Sequence, residues 1–416
     1  MTKGEIIVAA FRVWGRNFYR KTSLSQLAGE LKVSKTALYR HFRSKHALID
    51  AMIDSFLNDF SVSIKGGFEN AHNASDPDDG IFAIIGSISG YFARNGYSLI
   101  FSLINIYDRN IDGNAVSERL KTMGADMGAL QVIAEKKYDI DPTVIRLIFA
   151  TLTFFMSHFH KANNFMETPP AGGEIEKITN KICETIKLGL KFPAEKTELD
   201  FEKLEKAVEG MALNAQPEPF FKAVAEAVAQ AGPWDVSMDM VAKRLGLSKS
   251  SLYGHFKNRK DMLRRLFLTE FKRIIAFAKQ GISLLKNNCG LSGGAEQLGS
   301  AVQHSCTSEL YLGIYSITVY LRLRPEILTA MDWIRTRKLD FGKPDKNLEI
   351  FRLFEDINIE PMHNAAEEEK QNISHWIMFL LINILINPFN QKIAASNKDI
   401  HILYKFITLG LGGFCK

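Results

Sequence analysis

Residues 34–42 read SKTALYRHF, and residues 248–256 read SKSSLYGHF. The two nonapeptides carry Ser, Lys, Leu, Tyr, His and Phe at matching positions, and Tyr39 and Tyr253 are 214 positions apart. Self-similarity at a fixed offset is the signature of a repeated structural unit. This chain therefore contains one short structural pattern twice.

The similarity continues on both sides of the nonapeptides. At the same offset Ser23 coincides with Ser237, and the apolar residues Ile7, Ala10, Phe11 and Trp14 coincide with Phe221, Val224, Ala225 and Val228. Near the two C-termini, Leu188-Gly189-Leu190 matches Leu409-Gly410-Leu411 at an offset of 221. We infer a tandem duplication with a few residues of length difference inside the second copy.

The residue spacing in each copy is helical. Ser23 followed by Gln26 is a capping-box pattern that predicts a helix start, and the apolar residues after it have the period of one helix face. Ser34 can cap the next helix, in which Leu38 and Phe42 point inward by their i, i+4 spacing. Because no sustained period-two alternation occurs, the predicted fold class is all-α: two tandem copies of a three-helix N-terminal domain followed by a C-terminal helical bundle.

Two short helices joined by three or four residues form a helix-turn-helix. The faces of its second helix that the core does not need carry side chains able to donate to phosphates or reach base edges: Lys35, Thr36, Ala37, Tyr39, Arg40 and His41. Lys45 then stands in the first turn of the following helix, where the helix dipole disfavours a cation. In the second copy Arg259 and Lys260 also place cations in the first turn of the equivalent helix. A phosphate bound nearby would explain these cations, because helix N-termini and cations both attract it.

Positive charge is concentrated in the same two segments. The chain of 416 residues has a net charge of +6. Residues 1–50 hold ten Lys/Arg against three Asp/Glu, and residues 217–265 hold nine against five, which leaves −5 for the remainder. Segregated positive charge suits a polyanionic partner, although a solvated lysine-rich face would give the same count.

These residues resemble a known family. The stretch from Ser23 through LAGELKVSKTALYRHFRSKHAL, and that from Ser237 through VAKRLGLSKSSLYGHFKNRKDML, are similar to the DNA-binding segment of the tetracycline-repressor (TetR) family. The resemblance implies an N-terminal three-helix DNA reader and a larger helical domain that binds a small effector. It also implies dimerisation through the last two helices, with effector binding spreading the readers and releasing the operator.

The resemblance also implies particular DNA contacts. Base or near-base contacts would come from Lys35, Thr36, Ala37 and Arg40, and in the second copy from Lys249, Ser250, Ser251 and Gly254. Phosphate contacts would come from Tyr39, His41, Ser23 and Lys45, and from Tyr253, His255, Ser237 and Lys260. His41 and His255 could instead be simple surface residues. Leu38, Phe42, Leu252 and Phe256 are predicted to be core.

The predicted domains follow from the duplication. They are a helix-turn-helix DNA-binding domain at 1–50, a helical ligand-binding and dimerisation domain at 51–195, a linker at 196–216, a second DNA-binding domain at 217–265 and a second helical domain at 266–416. A short helix is predicted in the linker over 198–211. The last two helices of each copy are predicted at 143–160 and 174–190, and at 366–387 and 398–414. Their aromatic faces form either an interface between the halves or each domain's own core.

Effector pockets in helical bundles are apolar with a few polar groups. The aromatic candidates are Tyr91, Tyr97, Phe101, Tyr107, Tyr311, Tyr315 and Tyr320, although aromatic residues at helical spacing are usually core. The four cysteines form no CxxC pair, and His158 and His160 are two positions apart and so on different helix faces. No metal site, cofactor or catalytic arrangement is predicted, and the stretch Gly290–Gly299 lacks a P-loop ending.

Location and function complete the predictions. The apolar run from Trp376 to Phe389 is too short and too interrupted for a membrane span, and the N-terminus lacks a signal-peptide core, so we expect no membrane partner and a cytoplasmic protein. The first hypothesis is a repressor that responds to a small apolar or aromatic effector and binds a double-stranded DNA operator as a single-chain pseudo-dimer. The second is an adaptor or sensor whose second helix-turn-helix no longer binds DNA, and the weakest is a small-molecule enzyme. Further self-association of whole chains stays open.

Overall fold

The computed structural model describes residues 1–16, 23–107, 113–163, 170–192, 199–212, 219–288, 305–329, 354, 366–386 and 395–416. Within these ranges the chain forms α-helices and turns, with an isolated β-bridge between Tyr138 and Cys415 and without any strand. The predicted all-α fold class is confirmed.

The chain divides into two compact units. Unit 1 consists of Met1–Lys187 with Phe414–Lys416, and unit 2 consists of Leu188–Gly413. The helices of the first copy are α1 (Lys3–Arg16), α2 (Leu24–Glu30), α3 (Lys35–His41), α4 (Lys45–Asn73), α5 (Pro77–Arg94), α6 (Gly96–Tyr107), α7 (Gly113–Thr122), α8 (Ala129–Ala134), α9 (Pro142–Asn163) and α10 (Gly172–Leu188). Those that follow are α11 (Phe201–Ala212), α12 (Pro219–Asp235), α13 (Met238–Leu245), α14 (Lys249–His255), α15 (Arg259–Asn288), α16 (Ser305–Leu323), α17 (Glu367–Leu385) and α18 (Asn397–Leu409), with a 3-10 turn at Gly410–Phe414.

The long central helices cross in the same way in both units. In unit 1, α4 meets α5 where Gly67 faces Ser87, and a Cβ atom at Gly67 would overlap the serine hydroxyl. In unit 2, Gly281 of α15 faces Ser316 of α16 with the same close approach. The two glycines are 214 positions apart and the two serines 229. The duplication therefore extends through the helical domains, and the second copy carries extra residues between these helices.

The predicted linker contains the expected short helix, α11, which belongs to unit 2. Its Val208 is fully buried and its Glu205 is 8% exposed, so this helix contributes to the core of unit 2 in addition to joining the copies. The three C-terminal residues belong to unit 1, where the backbone N–H of Asp139 donates to the carbonyl of Phe414 over 2.7 Å. The domain boundaries proposed within each copy stay predictions.

The predicted C-terminal helices correspond to α9 and α10 and to α17 and α18. The apolar run beginning at Trp376 forms α17, whose Trp376, Leu380 and Ile384 are buried, while residues 387–389 lie outside the described ranges. One described helix segment, Pro142–Lys161, is long and apolar enough to cross a membrane, but 56% of its apolar window is buried inside the protein. A buried core helix of this composition passes the same test, so it is weak evidence for a membrane span.

Candidate nucleic-acid interface

Three helices in each copy, the two of the helix-turn-helix and the long helix after them, begin at a capping side chain. In the first copy the hydroxyls of Ser23, Ser34 and Ser44 accept backbone N–H groups of α2, α3 and α4 over 3.0, 3.1 and 3.1 Å. The second copy makes the matching bonds over 3.2, 3.1 and 3.0 Å from Ser237, Ser248 and Asn258. Such caps satisfy N–H groups that have no partner inside the helix. The sequence therefore sets the same three helix starts in each copy.

The turn of each helix-turn-helix is left-handed at one residue. Lys32 has φ 54° in the first copy, and Gly246 has φ 65° at the equivalent position of the second. In both turns the following N–H, of Val33 or Leu247, bonds back over 2.9 Å to the helix carbonyl five residues earlier. This is the Schellman ending, for which glycine is the preferred residue. The first copy builds the same turn with a lysine.

The recognition helix α3 presents the predicted side chains to solvent. Leu38 is fully buried and Phe42 is 5% exposed, which confirms both as core. Tyr39 is 45% exposed, an unusual value for a large aromatic residue. The other predicted contact residues are exposed or half-buried: Lys35, Thr36 and Arg40 are exposed, and Ala37 and His41 are half-buried.

The matching helix α14 has the same arrangement. Leu252 and Phe256 are buried, as predicted for core residues, whereas Tyr253 is 48% exposed. The predicted contact residues Lys249, Ser250, Ser251, Gly254 and His255 are all exposed. Each copy thus presents one polar helix face with a tyrosine in its middle.

The predicted phosphate-binding serines also have defined geometry. Ser23 is exposed and Ser237 half-buried, and each hydroxyl oxygen accepts the N–H of its own helix. A hydroxyl that accepts at its oxygen still has its proton to donate. The cap therefore leaves each serine able to donate to an external phosphate.

Cations flank each recognition helix on its C-terminal side. Lys45 is half-buried in the first turn of α4, and Lys260 is exposed in the first turn of α15. Two further exposed cations, Arg43 and Lys257, stand at equivalent positions in the preceding turns. The helix patterns of the sequence do not single out this pair, although its two members are related by the fixed offset of 214.

The two copies differ at the first residue of the recognition helix. The ammonium group of Lys35 lies 5.8 Å from the ring centroid of Tyr39, and the described residues give it no ion pair. The equivalent Lys249 donates to Asp239 Oδ2 over 3.0 Å, and this hydrogen bond raises the pKa of Lys249. The first copy has Ser25 where the second has Asp239. The second reader therefore holds one of its cations in an internal ion pair.

In unit 1 the predicted effector-contact residues belong to an aromatic cluster. Tyr91 and Phe101 are buried, with ring centroids 6.3 and 6.0 Å from that of Phe56. Burial raises the pKa of Tyr91 to about 12. Phe101 also contacts Phe11 of α1 at 4.8 Å, and the half-buried Tyr97 packs against Gly15 of α1. The side chain of Tyr107 lies outside the described residues.

In unit 2 the three candidate tyrosines are also buried, and each donates to a carboxylate. Tyr311 donates to Glu205 over 2.5 Å, and Tyr315 donates to Glu209 over 2.6 Å. Tyr320 donates to the fully buried Glu270 over 2.8 Å. Burial first, and then these carboxylates, raise the pKa of all three phenols. At neutral pH each phenol is therefore a hydrogen-bond donor.

The histidines of α9 have separate partners. The ring of His158 bonds to the carbonyl of Phe154 over 3.0 Å, and that of His160 bonds to the carbonyl of Phe92 over 2.8 Å. They do not converge on a common point. Among the residues that the structure describes, no group of three His, Cys, Asp or Glu side chains could hold a metal ion. Cys289 and Gly290–Gly299 lie outside the described residues.

The arrangement defines a class of protein. A helix-turn-helix with capped helices, a solvent-facing recognition helix and flanking cations is a DNA-binding domain, and this chain contains it twice. The family of bacterial regulatory proteins called the tetR family matches residues 6–52 and 221–266. The chain therefore contains two tetR-family DNA-binding segments in tandem, which supports a DNA-binding transcriptional regulator.

Other comparisons add little to this assignment. A crystal structure of a TetR family transcriptional regulator, PfmR from Thermus thermophilus, is similar at 18% sequence identity, with 44% of this chain and 95% of that chain covered. The TM-score of 0.29 is low, and the family assignment rests on the two sequence segments. The search of curated proteins gave no match.

Proposed function

We propose that the protein is a cytoplasmic repressor that binds an operator with both readers of one chain and releases it when a small apolar or aromatic effector binds. The observation that carries the proposal is the repeated recognition face. Each copy presents an exposed tyrosine, a capping serine and flanking cations at equivalent positions. A single-chain pseudo-dimer of this kind would read two half-sites about 34–36 Å apart in successive major grooves.

The proposed operator is imperfectly palindromic. A homodimer reads two identical half-sites, but the recognition helices of this chain differ, with Arg40 replaced by Gly254 and Thr36-Ala37 by Ser250-Ser251. An arginine can bind guanine through two hydrogen bonds, which is worth about 1–3 kcal/mol of discrimination. The half-site of the first copy then carries more sequence information. Selection of binding sequences from a random DNA pool tests this, and recovery of a perfect palindrome would contradict it.

The proposed route of the effector signal in unit 1 follows the aromatic contacts. Tyr91 and Phe101 share the neighbour Phe56, and Phe101 contacts Phe11 of the reader helix α1. A ligand that displaces rings in this cluster would therefore move α1. Because α1 packs on α2 and α4, its displacement would change the orientation of α3.

A specific observation supports the second candidate, an adaptor whose second helix-turn-helix no longer binds DNA. Lys249 is paired with Asp239, and the equivalent pair is missing from the described residues of the first copy. This acidic residue lowers the positive charge of the second reader. In that case DNA affinity would depend on the first copy alone.

Matched tyrosine variants separate the two functions. Tyr39→Phe and Tyr253→Phe each remove one exposed hydroxyl and leave the ring in place. For paired readers we expect similar losses of DNA affinity from both variants, measured by fluorescence anisotropy with the selected operator. A loss from Tyr39→Phe alone would establish the adaptor. Affinity that does not fall steeply with salt would contradict DNA binding through phosphate contacts.

A further inference from the structure

The helix that joins the two copies inserts a carboxylate into a ring of hydrogen-bond donors in unit 2. Glu205 of α11 is 8% exposed. Its Oε1 accepts from the phenol of Tyr311 and bonds to His401 Nε2, each over 2.5 Å. Its Oε2 accepts from the amide of Asn397 over 2.8 Å. Both carboxylate oxygens are thus bound by donors from α16 and α18.

The surrounding residues hold these donors in position. Arg322 donates to Asn397 Oδ1 over 2.7 Å, so the amide nitrogen of Asn397 must face Glu205. The ring of Phe201 stacks on that of His401 with centroids 4.2 Å apart. One helical turn after Glu205, Glu209 accepts from Tyr315 over 2.6 Å. Donors that neighbouring groups hold in position lose less conformational entropy when they bind an acceptor.

The first copy lacks this donor set. The offset of 229 shown by the paired glycine and serine contacts places Phe82 and Gly86 opposite Tyr311 and Tyr315. The offset of 221 at the C-termini, where Gly189 and Gly410 both have positive φ, places Asn180 opposite His401. Phenol donors therefore occur in the copy that receives the carboxylates of α11. The phenol donors and the helix that supplies their carboxylate acceptors therefore belong to the same copy.

We propose that unit 2 contains a carboxylate-binding site and that Glu205 is its tethered occupant. The regulatory meaning of this site rests on the proposed function, in which the helical domains take effectors. A tethered side chain has a local concentration in the millimolar range or above, so a free carboxylate must compete with it. In the second copy the site is then occupied by Glu205 of the same chain, and an external apolar effector binds in the first copy.

Chemical rescue of the full-length protein tests the site. Glu205→Ala deletes a group with the size and charge of acetate and leaves the three donors without their acceptor. We expect its melting temperature to fall by about 5 °C or more. Sodium acetate at millimolar concentrations should restore most of that loss and should again protect residues 201–212 from hydrogen exchange. Acetamide, which has the same shape without the charge, should not.

Three further measurements control the experiment. Glu202→Ala removes an exposed carboxylate of the same helix, and acetate should leave its stability unchanged relative to sodium chloride. Tyr311→Phe combined with Glu205→Ala should weaken the rescue, because one donor to the acetate is lost. If Glu205→Ala does not fold in plain buffer, refolding it with acetate or acetamide is the measurement, and recovery with acetate alone supports the site whereas equal outcomes overturn it.

The outcomes are separate from those for DNA binding, since no DNA is present. Rescue by acetate and not by acetamide supports the carboxylate site. Equal effects of acetate, acetamide and chloride, or no rescue at all, overturn it and make the cluster a packing contact of α11. If neither Tyr39→Phe nor Tyr253→Phe alters DNA affinity, the proposed function is contradicted. That result would not affect the evidence for the carboxylate site.

Discussion

Replacement of Asp239 by serine gives the second reader the residue that the first copy has at this position. Lys249 donates to Asp239 over 3.0 Å, and both side chains are more than half exposed. The aspartate raises the pKa of this lysine. Because the ordinary pKa of lysine is already about 10.4, Lys249 is protonated at neutral pH with or without its partner. The substitution therefore frees a charged donor on the predicted DNA-binding face.

The expected gain follows from counterion release. Each phosphate that a protein neutralises on duplex DNA makes the slope of log K against log salt more negative by about 0.9. One additional contact then increases affinity by about eightfold at 0.1 M salt and about fourfold at 0.2 M. Exposed ion pairs contribute little to folding, so the melting temperature should change by no more than about 2 °C.

Fluorescence anisotropy over a salt series measures both quantities with one labelled operator. Glu202→Ser is the matched control, because it breaks the exposed pair with Lys206 in the same unit and causes the same change of net charge away from the reader. We expect the steeper salt slope from Asp239→Ser alone. An unchanged slope would refute a DNA contact of Lys249, and equal gains from both variants would reduce the effect to net charge.

Two predictions concern stability. Lys32→Gly should stabilise the first copy by about 0.5–1 kcal/mol in chemical denaturation, because glycine adopts the left-handed turn at φ 54° without strain, and Gly246→Lys should destabilise the second copy. Asp78→Asn should lower the melting temperature of the first copy by about 5–10 °C at neutral pH. Burial raises the pKa of Asp78, but bonds from Tyr138, Lys137 and Lys187 outweigh it and the pKa is lowered. The charged Asp78 therefore stabilises the fold fully above the pKa of an unfolded aspartate, near 4, and this stabilisation disappears as the pH falls through the lowered pKa of the folded state. The melting temperatures of wild type and variant should converge in acid. A difference that stays constant with pH would contradict the assignment.

The sequence predicts the readers well because their determinants are local. A serine three residues before a backbone N–H, an i, i+4 pair of apolar residues and a left-handed turn residue each act within one helical turn. The core residues Leu38 and Leu252 and the solvent-facing Tyr39 and Tyr253 could therefore be assigned from spacing alone. The outward face is simply what the core does not use.

The helical domains were less accessible to sequence reasoning. Their sequence spacing predicts Tyr311 and Tyr315 only as aromatic candidates for a ligand, whereas in the structure their phenols bind glutamates more than a hundred residues away. The sequence predicts a linker at 196–216, and the packing of its helix in unit 2 depends on those distant tyrosines. Contacts of this kind leave no regular spacing in the sequence.

By itself the sequence determined that the chain is a duplication, that it is helical and where each recognition helix begins, because short-range spacing encodes these properties. Only the tertiary structure decided that Lys249 is paired, that Gly67 and Gly281 mark equivalent helix crossings, and that the connecting helix fills a ring of donors. Each of these depends on residues that folding brings together from distant positions, and the free energy of such a contact is set by burial and geometry that no local pattern records.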